Sequence, residues 1–431
     1  MSTFALVVAS LPGLGAATGS PPARGASPPA RAASPPTRGA SPPTRGASPP
    51  TRGARQGKLL DLRWSPGKGV RFATADRDFR LALLFRGQFR YTFDGPFGGD
   101  ELLHTLTIHR ARLMLEGVAF NQHNRFKAEL AFSPRDLGLK DGRVTHSPLL
   151  SAFVELDYLR DLTLRVGQYK VPFSRQRVTS SGKQQLVDRS LANAEFNLDR
   201  DIGLDLRSAD LFGLGFVRYA LYAGVGEGRD GWQQRDNGPL LIARLELYPL
   251  GLFNDHDEVD HRRSPRPRLA IGAAYAHVGE AKGNRGILGR APADGGTTDT
   301  HHLVADVAFL WRGLAVHGEV HWRRGHRNPG GALDENGQPV PVEAPRDGYG
   351  FFIQAGYLFG GVPIEPSARY SRVRPIGDES SLPPADELGV GLSVYLYRHA
   401  LKLQADYFRL WSGSIGAGGR HRARLQLQAH F

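Results

Sequence analysis

Apolar and polar side chains alternate along most of this chain, and this alternation constrains its fold more than any other feature. From about Arg71 onward we identify sixteen alternating segments, bounded by clusters of Gly, Pro, Asp and Asn. Because successive side chains of a strand point to opposite faces, a period of two predicts strands. The predicted strands are approximately 79–92, 104–117, 124–132, 150–159, 161–170, 200–208, 214–225, 239–248, 267–279, 300–311, 313–324, 348–359, 363–373, 386–397, 399–409 and 421–431.

The connections between these segments alternate in length. Short turns are predicted at Arg160, at Arg312, at 360–362 and at Arg398. The long loops are 93–103, 133–149, 171–199, 226–238, 280–299, 325–347, 374–385 and 410–420. Short turns at one end and long loops at the other are typical of transmembrane β-barrels. One connection, 249–266, is too long for the short-turn end, so it is either a local elaboration or a miscounted strand.

The two faces of each segment differ in polarity, and the last segment shows this most clearly. In 421–431 the apolar face carries Leu425, Leu427 and Phe431, and the opposite face carries Arg424 and Gln426. A soluble β-sandwich could show such a partition in a few strands. Its persistence through sixteen segments favours a barrel with lipid outside and water inside.

Composition narrows the classes of function. The chain has no cysteine, which excludes disulfides and thiolate metal sites. Its formal net charge is +13, but residues 1–56 hold six arginines and no acid, so the remainder carries 13 − 6 = +7. Much of the basicity therefore belongs to the amino-terminal segment, and we expect no nucleic-acid partner. No apolar run reaches the roughly 18–20 residues of a spanning helix.

The amino-terminal part divides into three predicted segments before the barrel. Residues 1–19 resemble a secretory signal peptide, although an Ala/Gly-rich disordered leader is the alternative. Residues 20–57 repeat an Arg/Gly/Ala/Ser/Pro heptapeptide whose paired prolines exclude helix and sheet, so this is a low-complexity linker. Residues 58–78 are a pre-barrel segment, and 79–431 form the barrel.

Basic side chains on the polar faces would line the lumen. Selectivity in a pore is set where it is narrowest, by charges that act at short range in confined water. The predicted pore-lining residues are Arg80, Arg86, Arg110, Lys127, Arg165 and Lys402.

The third long loop, 171–199, is the candidate constriction. It combines the cations Arg175, Arg177, Lys183 and Arg189 with the hydroxyl donors Thr179, Ser180 and Ser181. Charged and neutral donors around a narrow path can replace part of the hydration shell of an oxyanion such as phosphate. The alternative is an ordinary exposed loop with salt-bridged arginines.

At this loop the chain resembles a known family. The stretches RVGQYKVPF at 165–173, DRS at 188–190 and DRDIG at 199–203 are similar to a signature of the phosphate-selective porin O and P family. Three more stretches resemble strands of that family, namely IHRARL at 108–113, ARYSRV at 368–373 and HALKLQADY at 399–407. The resemblance extends from about Arg71 to Phe431.

The resemblance implies a sixteen-stranded barrel in the bacterial outer membrane, commonly a homotrimer, whose infolded third loop narrows an anion-selective channel. It implies an anion site formed by Lys183 with Ser180 and Ser181, and with Arg112 on the facing wall. It also implies that Phe431, as the carboxy-terminal aromatic residue, is the recognition signal for the barrel insertion machinery. The Pro-rich linker departs from the family pattern, and its role is not implied.

We therefore expect a passive outer-membrane porin that prefers inorganic anions such as phosphate or polyphosphate, has no cofactor and is not an enzyme. One alternative is a barrel enzyme of the lipase or protease type. Another is a structural tether whose linker binds peptidoglycan. The segment Asp255 to His261 contains metal-ligand residue types, but in a flexible connection we expect a solvated charge cluster there and no metal site.

Overall fold

The computed structural model describes residues 60–431 except 97, 100, 140, 232–237 and 415–417. The predicted signal peptide and linker lie outside the described residues. The strands are β1 Leu60–Ser65, β2 Gly69–Thr74, β3 Arg80–Pro96, β4 Leu103–Val118, β5 Asn124–Ala131, β6 Leu149–Leu159, β7 Leu162–Lys170, β8 Arg200–Ser208, β9 Val217–Gly224, β10 Leu240–Leu247, β11 Arg268–Ala281, β12 Thr297–Trp311, β13 Leu314–Asn328, β14 Gly348–Tyr357, β15 Ile364–Pro375, β16 Ala385–His399, β17 Leu401–Trp411 and β18 Arg420–His430.

Strands β3 to β18 form a closed antiparallel barrel. Each pairs with its neighbour in the chain, and β18 closes the barrel on β3 with Gln428 opposite Gln88 and His430 opposite Arg86. The predicted all-β, sixteen-stranded barrel is confirmed. The predicted bounds of β8 match the structure at both ends, whereas β13 continues beyond the predicted residue 324 to Asn328. Both faces are polar there, so the alternation disappears while the strand continues.

The strands β1 and β2 were not predicted, because residues 58–78 were assigned only as a pre-barrel segment. The two strands pair with each other, and β2 pairs with the first residues of β3, with Val70 opposite Leu83. Their connecting turn contains Gly67 with a φ of 68°, a conformation that L-residues rarely adopt. The hairpin therefore adds to the sheet at the end where the short turns lie.

The inward and outward faces follow the predicted partition. In β12 the polar side chains of His302 and Asp306 are buried, whereas Leu303 and Val307, the residues that follow each of them, are exposed. The interior is filled by polar side chains and by the infolded third loop, while the exposed apolar side chains form the outer surface. This is the inverse of a soluble domain and is expected where lipid covers the outside.

The helices are short. They are α1 Pro134–Leu137, α2 Arg175–Val178 and α3 Leu191–Phe196, with 3-10 turns at Ser181–Lys183 and Leu211–Gly213. Among the described residues no helix has the length and apolar character needed to cross a membrane.

The connections at the amino-terminal end of β3 are mostly tight turns. Between β12 and β13 the turn consists of Arg312 and Gly313, whose φ angles of 48° and 95° suit a two-residue hairpin loop. The β10–β11 connection, 248–267, is the exception. It contains no strand, so it is a local elaboration and the strand count is unchanged.

Candidate anion pathway

The third long loop, 171–199, lies inside the barrel. Within this fully described stretch only Ala194 is exposed. The inner wall binds the loop backbone, because the Lys402 ammonium donates to the Gln184 carbonyl at 2.8 Å and the Val187 N–H donates to a barrel carboxylate at 3.0 Å. Buried backbone groups need such partners. The predicted infolded loop is therefore confirmed, and the exposed-loop alternative is wrong.

Both ends of the loop are held by an apolar cluster within the barrel. Val171, Phe173 and Leu198 pack with Tyr222 of β9 and Ile242 of β10, and all five side chains are buried. Burial of a large apolar side chain contributes about 1.5–3 kcal/mol. The loop is consequently anchored on the β9–β12 side of the barrel, and its middle crosses to the opposite wall.

Arg175, which the sequence predicts at the constriction, lies in a buried ion-pair network. Its guanidinium is 2.6 Å from Asp306 and 3.1 Å from Glu246, and it also pairs with Asp255. Three carboxylates therefore surround Arg175. A second cation, Arg244, pairs with two of these carboxylates, Glu246 and Asp306. Arg175 therefore ties the loop to the wall and to the β10–β11 connection.

Arg177 and Arg189 stabilise the loop internally. Arg177 donates to Asp199 at 2.8 Å. Arg189 donates to the carbonyl oxygens of Gln176 at 2.9 Å and Thr179 at 2.7 Å. The four cations predicted in this loop therefore differ in how available they are to an anion, because three of them, Arg175, Arg177 and Arg189, bind acceptors within the protein.

The wall opposite the loop carries arginines in register. Arg86 of β3 lies directly opposite Arg112 of β4, a like-charge pair that is unfavourable by itself. The carboxylate of Glu129 offsets the repulsion between the two arginines, because it lies 3.5 Å from Arg86 and 3.0 Å from Arg112. Arg112 also donates to Asp136 at 2.8 Å. Arg112 is therefore well paired, whereas Arg86 is held more loosely.

Arg86 contacts the tip of the loop. Its Nη1 donates to Ser180 Oγ at 2.8 Å. A Cβ built on Gly182 would lie 2.9 Å from the same Nη1 atom, so a larger residue there would require the Arg86 guanidinium to move. Ser181 is buried there, and its Oγ has no hydrogen-bond partner among the described residues.

A second group of wall arginines faces Asp188 of the loop. Arg90 donates to this carboxylate at 2.9 Å, and Arg110 lies 3.8 Å from it. Burial alone would raise the pKa of Asp188, but Arg90, Arg135 and Arg110 hold that pKa well below its usual range. The alternation of β3 predicts that Arg90 faces inward, as it does in the structure, but Arg90 was not among the residues predicted to line the pore.

The remaining predicted pore-lining residues lie near the short-turn end. Arg80 is exposed at the first residue of β3, and Lys127 pairs with Glu116 at 2.9 Å. Arg165 pairs with Glu155 across β6 and β7. Arg80 and Lys127 border a cavity of about 610 Å³ next to the β1–β2 hairpin.

A larger cavity of about 1080 Å³ opens at the same end and reaches the tip of the loop. Six Lys or Arg residues line it against two acids, Asp257 and Asp260. Ser180 also lines it. The six cations are Lys68, Arg86, Lys183, Arg262, Arg268 and Arg398.

Lys183 differs from the other cations of the loop. Within the part of the chain that the structure describes, its ammonium has neither a carboxylate at ion-pair distance nor a hydrogen-bond acceptor. Its charge does act on Asp257. Burial would raise the pKa of Asp257, but His399 and then Lys183 bring that pKa to about 2. The structure thus brings Lys183, Ser180 and Arg86 together at this cavity, whereas Arg112, which shares Glu129 with Arg86, does not line it.

The β10–β11 connection, 248–267, meets the loop from the short-turn end. The Glu258 N–H donates to the Lys183 carbonyl at 3.1 Å, and its side chain accepts from the Gln185 N–H at 3.0 Å. Asp255 and Asp260 are 2 % exposed. The expectation of a solvated charge cluster is therefore wrong, because these carboxylates find buried donors that the local sequence does not reveal.

Comparison with known proteins adds a family match. Residues 84–231 match the family model described as Phosphate-selective porin O and P. This stretch is 148 of 431 residues, and it runs from within β3 to the β9–β10 connection, including the whole third loop. No curated protein sequence matches this chain significantly.

Solved structures with a similar fold include the anion-selective porin from Comamonas acidovorans, with a TM-score of 0.51, 11% identity, and coverage of 81% of this chain and 99% of that chain. Another is OmpT of Vibrio cholerae, with a TM-score of 0.48, 10% identity, and coverage of 86% of this chain and 100% of that chain. A third is OpdO of Pseudomonas aeruginosa, with a TM-score of 0.45, 13% identity, and coverage of 81% of this chain and 97% of that chain. At such identities the first of these supports the fold alone. The chain is a bacterial outer-membrane β-barrel of porin fold, and its residues 84–231 match the phosphate-selective porin O and P family.

Proposed function

We propose that this barrel is a passive outer-membrane channel that prefers anions, and that phosphate-like oxyanions bind beside Lys183. The observation that carries the proposal is the cavity of about 1080 Å³, in which six cations face two acids. Clefts lined by one sign of charge concentrate counter-ions, and the effect is stronger between low-dielectric walls. A chloride or phosphate ion that enters from the short-turn end meets this field first.

The three groups at the loop tip suit an oxyanion. Ser180 Oγ accepts hydrogen bonds from Arg86 at 2.8 Å and from the Gly182 N–H at 3.3 Å. Because a hydroxyl has two acceptor lone pairs, its own hydrogen remains available to a bound anion. Lys183, whose ammonium has no ion-pair partner among the described residues, lines the same cavity as this donor. Charge-assisted hydrogen bonds of this kind are about twice as strong as neutral ones.

The proposal is tested by planar-bilayer recording of the purified channel in a KCl gradient. We expect the reversal potential to have the sign of chloride preference, because chloride should follow the cation-lined cavity. Added phosphate should reduce the chloride current by competing beside Lys183. A reversal potential of cation sign would contradict the anion preference, and a current unchanged by phosphate would contradict the oxyanion site.

The proposal also covers the partners of the barrel, namely membrane lipid, peptidoglycan and further copies of the chain. Exposed apolar side chains such as Ile353 and Val320 would contact outer-membrane lipid. The short-turn end, where β3 begins, would face the periplasm, and we retain binding of the linker to peptidoglycan as an additional role. We also retain the homotrimer that the family resemblance implies.

Phe431 supports a separate prediction about assembly. Its backbone pairs with Phe85 in both directions, and the two rings are 5.5 Å apart between centroids, while its side chain is 52% exposed. We expect Phe431→Ala to refold in detergent nearly as well as the wild type, since the backbone pairing remains. In cells, however, the amount of heat-modifiable barrel in outer membranes should fall severalfold if this side chain is the insertion signal.

Phe359→Ala is the matched control, because Phe359 is an aromatic residue of similar exposure, 45%, at the short-turn end. It should leave the amount of membrane-inserted barrel unchanged. Equal losses for both variants, or normal insertion of Phe431→Ala, would contradict a signalling role for Phe431.

A further inference from the structure

Three metal-ligand side chains come together at the short-turn end. Asp257 and His261 lie in the β10–β11 connection, and His399 is the last residue of β16. One ligand atom from each residue lies within 4.8 Å of the other two. His399 is 138 positions from His261 in the chain (399 − 261), so the infolding of the connection is what completes the cluster.

Two imidazole nitrogens of this cluster lack hydrogen-bond partners among the described residues. His399 Nε2 is 2.8 Å from Asp257 Oδ1, and the rings of His261 and His399 are 4.5 Å apart between centroids at an interplanar angle of 84°. The buried atoms His261 Nε2 and His399 Nδ1 have no hydrogen-bond partner among the described residues. Buried polar atoms normally have partners, so two orphaned imidazole nitrogens in one cluster need an explanation.

We propose that Asp257, His261 and His399 form a binding site for a divalent transition-metal ion of the zinc type. Imidazole nitrogen and carboxylate oxygen are ligands that Zn²⁺ and its neighbours accept, and three protein ligands leave a position open. All three residues line the cavity of about 1080 Å³, so that position can take water or an anion from the cavity.

The ion would have a structural consequence. The connection 248–267 has no strand of its own, yet it contacts the third loop through Glu258. A metal that joins His261 to His399 would fasten this connection to the β16–β17 turn at the cavity mouth. It would also add positive charge close to Lys183, which reinforces the field that favours anions.

The test uses the full, untagged chain purified in detergent and titrated with Co²⁺, followed by competition with Zn²⁺. We expect one equivalent of Co²⁺ to produce the visible absorption bands of a low-coordinate protein site, and Zn²⁺ to abolish them. His399→Gln and His261→Gln should each weaken binding by about 100-fold or more, since loss of a supporting contact alone costs 10–100-fold. Heat-modifiability on gels verifies that each variant is a folded barrel.

The matched control is His326→Gln, which removes an exposed histidine at the far end of β13. It should bind Co²⁺ like the wild type. Asp257→Asn gives a second test that leaves every histidine in place, and it too should weaken binding. Absence of a Co²⁺ spectrum in the wild type, or equal spectra in the wild type and folded His399→Gln, would overturn the proposal.

Discussion

Replacing Lys183 with glutamate should lower the anion-to-cation permeability ratio more than any other single change in the cavity. The substitution changes the balance of Lys and Arg against acids from six against two to five against three. A unit charge at about 4 Å contributes about 1 kcal/mol even at the dielectric constant of bulk water, and more in a confined site. We therefore expect the ratio, obtained from reversal potentials in a KCl gradient, to fall by about fivefold or more. Phosphate should also lose its effect on the current.

Lys282→Glu is the control for the change in total charge. Lys282 lies in the β11–β12 connection, where it is 45% exposed and pairs with Glu227. The two variants have the same net charge, so a general surface-charge effect would alter both equally. An unchanged reversal potential in Lys183→Glu would mean that permeating ions do not pass near the cavity, and it would overturn the proposed site.

Replacing Arg175 with methionine should produce the largest loss of stability. Its side chain is 4% exposed and its guanidinium contacts Glu246, Asp255 and Asp306. Its removal leaves these three buried carboxylates with only Arg244 and the partly exposed Arg218 as ion-pair partners among the described residues. Removing one partner of a buried ion pair costs about 3–5 kcal/mol. The temperature at which the barrel loses heat-modifiability should therefore fall. Single-channel conductance should rise and become noisier, because the loop 171–199 loses its tie to the β12 wall.

Arg177→Met provides a comparison within the same loop. Arg177 pairs with Asp199, but both side chains are about one fifth exposed, at 21% and 22%. Such partly solvated pairs contribute about 0–1 kcal/mol, so this variant should unfold near the wild-type temperature. If Arg175→Met is as stable as Arg177→Met and conducts normally, Arg175 does not anchor the loop.

Local patterns were sufficient to predict the barrel because each strand shows its two environments in its own sequence. Leu425 and Leu427 face outward and Gln426 inward in the structure, as their alternation indicates. The strand β1 does alternate, with Leu60, Leu62 and Trp64 against Asp61, Arg63 and Ser65, but it was missed because it is only 6 residues long and follows the linker directly. The strand β2 is held by pairing with β3. Loop 171–199 was also identified correctly as the infolded segment, from the family resemblance and its composition.

The sequence could not distinguish the four loop cations from one another. Arg175, Arg177, Arg189 and Lys183 look alike in the sequence, yet the first three bind carboxylates or carbonyl oxygens and only Lys183 faces the cavity without such a partner. Partners such as Asp306 are more than one hundred positions away. Electrostatic compensation depends on distances of a few ångströms, and these exist only after the barrel closes.

The sequence by itself therefore determined the barrel, its strand number and the loop that enters it. The barrel and its strand number follow from side-chain periodicity and connection length, which are local, whereas the entry of the loop follows from the family resemblance and the loop's composition. The tertiary structure alone decided which charges remain uncompensated, that the connection 248–267 also folds inward, and that His399 meets Asp257 and His261. The reason is physical: the charge and ligand geometry of a pore interior are set by contacts across the lumen, between residues that the chain keeps far apart.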